Sequence, residues 1–233
     1  MKTKETIKWS VSVVGLAVIL SVAGCSTDSN TQHFPTKYRA TDGRAIDVGK
    51  RTPADNGWKF DEPHLDKCWV VSNFDFTGYD TLYIAPTVST AKLRGPDEES
   101  TQTLAKDNLS LEFQRFIRAK HIIGNVFIRE SDIPPGAHVL KMQNTIIQYA
   151  KGSEAVRFWI PAGQPKLRVT GEIADGDKTV FNFEGYRSGT SAAAFFNGGY
   201  MTDVDIQLGD IRSLTTDVTD VMAVVAEKYK PRN

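Results

Sequence analysis

Two segments with helical periodicity flank a long stretch of strand-forming sequence, and this order restricts the chain to a mixed fold. From about residue 97 to residue 120, apolar residues recur on one helical face, with acidic residues at the start and basic residues at the end. The apolar residues are Leu109, Phe113, Phe116 and Ile117. A second apolar stripe precedes Pro231 and comprises Ile211, Leu214, Val218, Val221, Met222, Val225 and Tyr229. Each stripe predicts an amphipathic helix.

The sequence before and between these helices favours antiparallel strands. The strand-forming segments cover residues 80–86, 126–128, 139–149, 156–160, 166–173 and 179–186. Asp175-Gly176-Asp177 predicts a hairpin turn, and the alternation in residues 181–184 predicts one buried and one hydrated sheet face. The sequence therefore predicts a single α+β domain in which two amphipathic helices pack on one mainly antiparallel sheet.

The first 25 residues have the pattern of a bacterial lipoprotein signal. Three lysines precede an apolar run from Val11 to Leu20, which is too short for a permanent membrane span. The run leads to Val22-Ala23-Gly24-Cys25, which resembles the lipobox. The resemblance implies cleavage between Gly24 and Cys25 and lipid attachment at Cys25, so residues 1–24 are interpreted as a signal peptide.

Acylation at Cys25 predicts a stable anchor, because two or more acyl chains such as palmitate are needed to hold a protein at a membrane. Ser26 follows the cysteine, and the absence of Asp at this position favours the outer membrane in a two-membrane cell. Residues 25–57 are mostly polar and predict a tether that follows the acylated N-terminus. Residues 58–233 are predicted to form the periplasmic domain.

Composition excludes several classes of protein. The chain has 233 residues with 28 Lys+Arg and 28 Asp+Glu, so it offers no excess of positive charge for nucleic acid. Once Cys25 is acylated, Cys68 is the remaining thiol. We expect it to be buried in the apolar run beside Trp69, although pairing between chains or a reactive thiol stays open.

No familiar catalytic or metal-binding motif occurs in the sequence. The four histidines (His33, His64, His121 and His138) are scattered, and none is spaced to share a metal ion with another. The acidic residues Asp203, Asp205 and Asp210 precede the last apolar stripe, where they are expected to complement a helix dipole. The sequence therefore predicts a protein that is not an enzyme and that needs no cofactor or metal.

The region from Gly152 onward is similar to a known family. Residues 152–158, Gly163, residues 167–173 and Asp175-Gly176 resemble the uncharacterised bacterial lipoproteins of the domain of unknown function 4410, over roughly residues 65–230. This chain departs from the family pattern at Pro161, Gln164 and Pro165. The resemblance implies a lipid-anchored envelope protein with a domain similar to the N-terminal domain of TolB and to part of curli-secretion lipoproteins.

The first functional hypothesis is a non-catalytic envelope component. Its anchor and tether suit a periplasmic domain that binds another envelope protein, self-associates or stabilises an assembly. Residues 189–200 combine small residues with Phe195 and Phe196. These two side chains are expected either to enter a partner's groove or to cover the sheet's own core.

The alternative is a small-ligand binder or an enzyme with a site assembled from dispersed residues. Arg157, Trp159 and Tyr186 are the candidate residues for such a cleft, in which the arginine would hold a carboxylate or a phosphate. Pore formation is a lesser alternative, because the strand-forming segments carry charges and lack a continuous apolar band.

Overall fold

Two helices cover one face of a large sheet in the computed structural model, which describes residues 34–153, 163–189 and 202–232. The strands are β1 (Lys37–Arg39), β2 (Ala45–Asp47), β3 (Arg51–Ala54), β4 (Gly57–Phe60), β5 (Lys67–Val71), β6 (Thr81–Ile84), β7 (Val88–Ser89), β8 (Asn125–Phe127), β9 (Val139–Ala150), β10 (Lys166–Asp175), β11 (Lys178–Arg187) and β12 (Lys230–Pro231). The helices are α1 (Pro96–Ala119) and α2 (Asp203–Val225), and two short 3-10 turns span Phe76–Gly78 and Glu130–Asp132.

Within the described residues, nine strands form the large sheet in the order β3-β4-β5-β11-β10-β9-β6-β8, with β7 paired to β9. The pairs β6–β8, β6–β9 and β7–β9 are parallel, and the other pairs are antiparallel. A second sheet of three strands has the order β12-β1-β2. The predicted fold class, a single α+β domain with a mainly antiparallel sheet and two helices, is confirmed.

Both helices begin where the sequence supplies helix-start signals. Pro96 occupies the first turn of α1, followed by three acidic residues. At the start of α2, Thr202 and Asp205 form a capping box in which each side chain accepts from the backbone N–H of the other residue. Asp203 and Asp205 lie in the first turn of α2. This is the position at which acidic side chains complement the helix dipole.

The core lies between the two helices and the inward face of the long strands. α1 contacts β8 and β9, α2 contacts β10 and β11, and the helices also contact each other. The rings of Phe113 on α1 and Phe183 on β11 lie 5.7 Å apart between centroids. Gly185 lets α2 approach the sheet closely, because a Cβ at this position would lie 2.3 Å from a methyl carbon of Leu214.

Folded structure begins well before the predicted domain start at residue 58. Residues 34–57, assigned above to the tether, include β1, β2 and β3, and Tyr38, Ile46 and Val48 are buried in the core. The β1 and β2 strands are three residues long with one buried residue each, so their alternation is too brief to stand out in the sequence. Residues 34–57 therefore belong to the folded domain and not to the predicted tether.

The other predicted elements are found close to their expected positions. The hairpin turn is confirmed, with Asp175 paired to Lys178 and Gly176 at a φ of 57°. α2 starts eight residues before the predicted stripe and ends at Val225, so Tyr229 lies beyond the helix, although it is buried. Phe116 is only partly buried, under the guanidinium of Arg115. The strand predicted at 156–160 lies outside the described residues.

Candidate functional site

The face of the sheet opposite the helices is polar and carries a shallow groove. Along β9, β10 and β11, alternate residues enter the core, and the residues between them are partly or fully exposed. Neighbouring strands pair in register, so the outward side chains form rows across the sheet. One row joins Lys67, Glu184, Thr170 and Thr145.

A second row runs beside the first and joins Trp69, Asn182, Glu172 and Gln143. Except for Trp69, the residues of both rows line a shallow groove of about 410 Å³. Its lining comprises Lys67, Gln143, Thr145, Thr170, Gly171, Glu172, Asn182, Phe183 and Glu184. Four adjacent strands thus present hydroxyl, amide and charged groups on one surface.

Glu184 is the most restrained acidic group of this surface. Its carboxylate lies 2.8 Å from the ammonium of Lys67 and 3.7 Å from the guanidinium of Arg168. Arg168 also pairs with Asp66 at 3.2 Å. These cross-strand charges form a network across β5, β11 and β10, which orders the side chains at one side of the groove.

Glu172 lines the same groove, but its carboxylate is not held by a cation of the described residues. It is exposed, and its closest hydrogen bond within the described residues is donated by the Thr179 hydroxyl at 3.5 Å. No cation of the described chain lies within ion-pair distance of its carboxylate. The amide nitrogen of Gln143 in the same row donates to the carbonyl oxygens of Pro86 and Asn144, which leaves its amide oxygen as the remaining polar group. The groove therefore offers one carboxylate that has no ion-pair partner within the described residues, beside hydroxyl and amide groups.

The structure places one residue of the predicted cleft on this surface. Tyr186 lies in β11, and the guanidinium carbon of Arg168 lies 5.4 Å from the centroid of its ring. Arg157 and Trp159, the other two cleft residues, lie outside the described residues. Gly24 and Cys25 of the lipid-attachment site and Phe195 and Phe196 of the predicted loop also lie outside them.

Cys68 lies on the opposite, inward face of β5. Its side chain is 1% exposed, as expected of a buried thiol, and burial raises its pKa. Within residues 34–153, 163–189 and 202–232, no group of three or more His, Cys, Asp or Glu side chains is placed to hold a metal ion. No helix in those ranges has the length and apolar character needed to cross a membrane.

A second polar cluster lies where α2 meets the end of β11. The guanidinium of Arg187 donates to the carboxylate of Asp217 and to the carbonyl oxygen of His64. Burial raises the pKa of Asp217, and it raises the pKa of Glu62 to about 7, with a further contribution from the nearby Asp217 charge.

Asp210 lies on α2 nearer its start. It accepts a hydrogen bond from the backbone N–H of Gly189 at 2.9 Å, and burial raises its pKa to about 6. The sequence predicts that Asp210 complements the helix dipole. Asp210 instead fixes the chain where it leaves β11.

Sequence reasoning identified the hydrated face of β11 but not the groove. The alternation in residues 181–184 correctly separates buried Phe181 and Phe183 from outward Asn182 and Glu184. The partners Lys67, Gln143 and Glu172 are distant in sequence, and strand register alone brings them together. No local signal could have identified them.

Comparison with known proteins gives structural neighbours at low similarity. No protein-family model matches the chain, and no curated protein sequence matches it. The resemblance to the domain of unknown function 4410 therefore has no support from family models, and no similarity to TolB is found.

Two bacterial proteins are among the solved structures with similarity to this chain. The PelC dodecamer from Paraburkholderia phytofirmans is 15% identical, with a TM-score of 0.42, and the match covers 65% of this chain and 97% of PelC. Protein XCC0632 from Xanthomonas campestris, assigned to the family DUF330, is 11% identical with a TM-score of 0.33. That match covers 64% of this chain and 86% of XCC0632.

Proposed function

We propose that this protein is a lipid-anchored, non-catalytic component of the bacterial outer membrane that binds another envelope protein through the open face of its sheet. The lipobox at Cys25 supports the anchor, and the groove across β5, β11, β10 and β9 supports the binding role. The contrast between two acidic residues of the groove carries the proposal. Glu184 is held by two cations, whereas Glu172 has none within the described residues.

This contrast also defines the chemistry of the partner. An exposed carboxylate beside amide and hydroxyl groups suits a Lys or Arg side chain, which donates several hydrogen bonds and neutralises the charge. We therefore propose that the partner presents a basic side chain that pairs with Glu172. Such contacts typically determine specificity and association rate more than affinity.

The short tether supports a partner located near the membrane. Phe34, the first described residue, follows Cys25 by nine positions. A fully extended chain of that length reaches about 30 Å. The ring of Phe34 packs edge-on against Trp58 at 4.9 Å and lies 4.4 Å from the guanidinium carbon of Arg51, so the chain is fixed to the domain from this residue onward.

Crosslinking in intact cells tests the binding role. A photoreactive amino acid replaces Thr170 in the groove, and in a control it replaces exposed Ser131 in the second 3-10 turn. We expect one reproducible envelope protein to crosslink at Thr170 and not at Ser131, and Glu172→Gln in the Thr170 variant to reduce that adduct several-fold. Identical adducts at both positions, or an adduct unaffected by Glu172→Gln, would refute the proposal.

The anchor is tested separately. We expect the unaltered protein to incorporate labelled palmitate and to fractionate with the outer membrane, and Cys25→Ala to abolish both properties. Release of the unaltered, unlabelled protein by osmotic shock would contradict the anchor without bearing on the groove.

A further inference from the structure

The side of α1 that faces away from the core carries a stripe of two exposed leucines, with the polar residues Asp107 and Asn108 between them. The buried side of this helix comprises Gln102, Ala105, Leu109, Ser110, Glu112, Phe113 and Ile117. On the opposite side, Leu104 and Leu111 are 43% and 48% exposed. They lie seven positions apart, which is close to two helical turns, so they project from the same side of the helix. They are two of the four large apolar residues that the described structure exposes.

The charges at the two ends of this stripe have opposite sign. Continuing the seven-residue spacing in both directions reaches Asp97 in the first turn and Arg118 in the last turn, and both side chains are exposed. Arg118 donates one hydrogen bond to the carbonyl oxygen of Val126, which holds its guanidinium at this end of the helix. The stripe therefore reads acidic, leucine, leucine, basic along the helix, and we call these four residues the α1 stripe.

The α1 stripe is complementary to itself in antiparallel orientation. A register that places Leu104 against Leu111 of a second copy also places Asp97 against Arg118 of that copy. Twofold symmetry repeats each contact, which is the property of an isologous interface. The helix dipoles are also opposed in this arrangement, whereas a parallel pair would bring like charges together at each end.

We propose that a second copy of this chain packs its α1 antiparallel on the α1 stripe and forms a twofold dimer. The two pairs of leucines supply the apolar contact, and the Asp97–Arg118 pairs determine the register. A single helix pair is a small interface, and the lipid anchor would raise the local concentration of the two copies on one membrane surface. The proposal does not depend on the groove or its partner.

Disulfide crosslinking tests the register directly. The full acylated protein is prepared in detergent micelles as Leu104→Cys and as Leu111→Cys, and each variant is oxidised alone and then mixed with the other. In the proposed register, residue 104 faces residue 111 of the second copy, while the two copies of residue 104 lie about 10 Å apart along the helix axis. A disulfide requires Cα atoms within about 7 Å.

We therefore expect the mixture to form several-fold more covalent dimer than either variant alone. Cys68 is buried, and the proposed acylation of Cys25 would block its sulfur, so neither should contribute background. No excess of covalent dimer in the mixture over the separate variants would overturn the proposal. Crosslinking of each variant to itself as efficiently as in the mixture would also overturn it.

A charge exchange provides a second test that needs no disulfide. Asp97→Arg brings two like charges together at each end of the dimer, so we expect it to decrease the dimer fraction several-fold by sedimentation. The double variant Asp97→Arg with Arg118→Asp recreates opposite charges in the same register and should restore the dimer. Failure of the double variant to recover would contradict the predicted pairing, provided that circular dichroism shows both variants folded.

Discussion

The carboxylate of Asp220 on α2 accepts a hydrogen bond from the ammonium of Lys120 at 2.7 Å, and both side chains are less than a tenth exposed. The same carboxylate also accepts from the guanidinium of Arg44 at 2.9 Å and from the hydroxyl of Tyr229 at 2.9 Å. Four segments therefore meet at one acidic group: the β1–β2 turn, the end of α1, α2 and the C-terminal segment.

Asp220→Ala is expected to decrease the free energy of unfolding by about 3–5 kcal/mol, because it leaves the buried ammonium of Lys120 without its charged partner. Urea denaturation followed by circular dichroism measures the change. The matched control is Asp42→Ala, which removes an exposed carboxylate 3.8 Å from the same Arg44. Its expected cost is below about 1 kcal/mol. Equal costs for the two variants would show that the buried cluster contributes no special stability.

Glu62→Gln is expected to weaken the dependence of stability on pH. Burial raises the pKa of Glu62 from 4.5 to about 7, so between these values the folded state binds more protons than the unfolded state. The unaltered protein therefore loses free energy of unfolding as the pH rises from 5 to 8, by at most roughly 3 kcal/mol from this residue. Glutamine stays neutral, so the free energy of unfolding of the variant should decline less between pH 5 and pH 8. Urea denaturation at several pH values measures this.

The control for the pH experiment is Glu130→Gln, at an exposed position in the second 3-10 turn. We expect its pH profile to follow that of the unaltered protein. Asp210, whose pKa is raised to about 6 by burial, contributes in the same direction and remains in both variants. A Glu62→Gln profile parallel to that of the unaltered protein would show that this residue ionises at its ordinary pKa in the folded state.

The helices and long strands could be predicted from the sequence because their patterns extend over many residues. α1 and β9 to β11 each run for ten residues or more, so periodicity and turn residues define them. β1 and β2 are three residues long, and a single buried residue in each gives no periodic signal. The sequence alone therefore predicts a start of the domain that is too late.

The candidate binding surface could not be predicted from the sequence alone. A local pattern identified Glu184 as an outward residue, but its cation Lys67 lies more than a hundred positions away. The two meet because β11 pairs with β5, which is a property of the whole fold. The same holds for Asp220, whose partners Arg44 and Lys120 come from different elements. The pairing of distant segments must be known before such sites can be recognised.

Cys68 is expected to react with a thiol reagent only as fast as the protein unfolds. Its side chain is 1% exposed, and burial raises its pKa, so the reactive thiolate is scarce in the folded state. The measurement uses Ellman's reagent on the Cys25→Ala variant, in which Cys68 is the only thiol. Urea should increase the rate by orders of magnitude. Rapid reaction in the absence of urea would place the thiol at the surface.

Gly209→Ala is expected to stabilise the protein by about 0.5–1 kcal/mol, because alanine loses less conformational freedom than glycine when a helix forms. Gly209 is exposed in α2, and a Cβ at this position would meet no atom within 4 Å. Thermal denaturation followed by circular dichroism measures the change as a higher Tm. A lower Tm would contradict the open environment of this residue.

Gly171→Ala is expected to destabilise the protein by about 1–3 kcal/mol, the usual cost of adding a methyl group to a packed core. Its Cβ would lie 2.3 Å from a ring carbon of Phe183 and 2.7 Å from the side-chain oxygen of Asn144, and the ring of Phe183 is itself packed against Phe113. Phe183→Leu removes the atoms that clash, so adding Gly171→Ala in that background should cost less than it does in the unaltered protein. Urea denaturation of the four proteins gives the coupling free energy between the two positions. If the costs simply add, Phe183 is not what requires glycine at position 171.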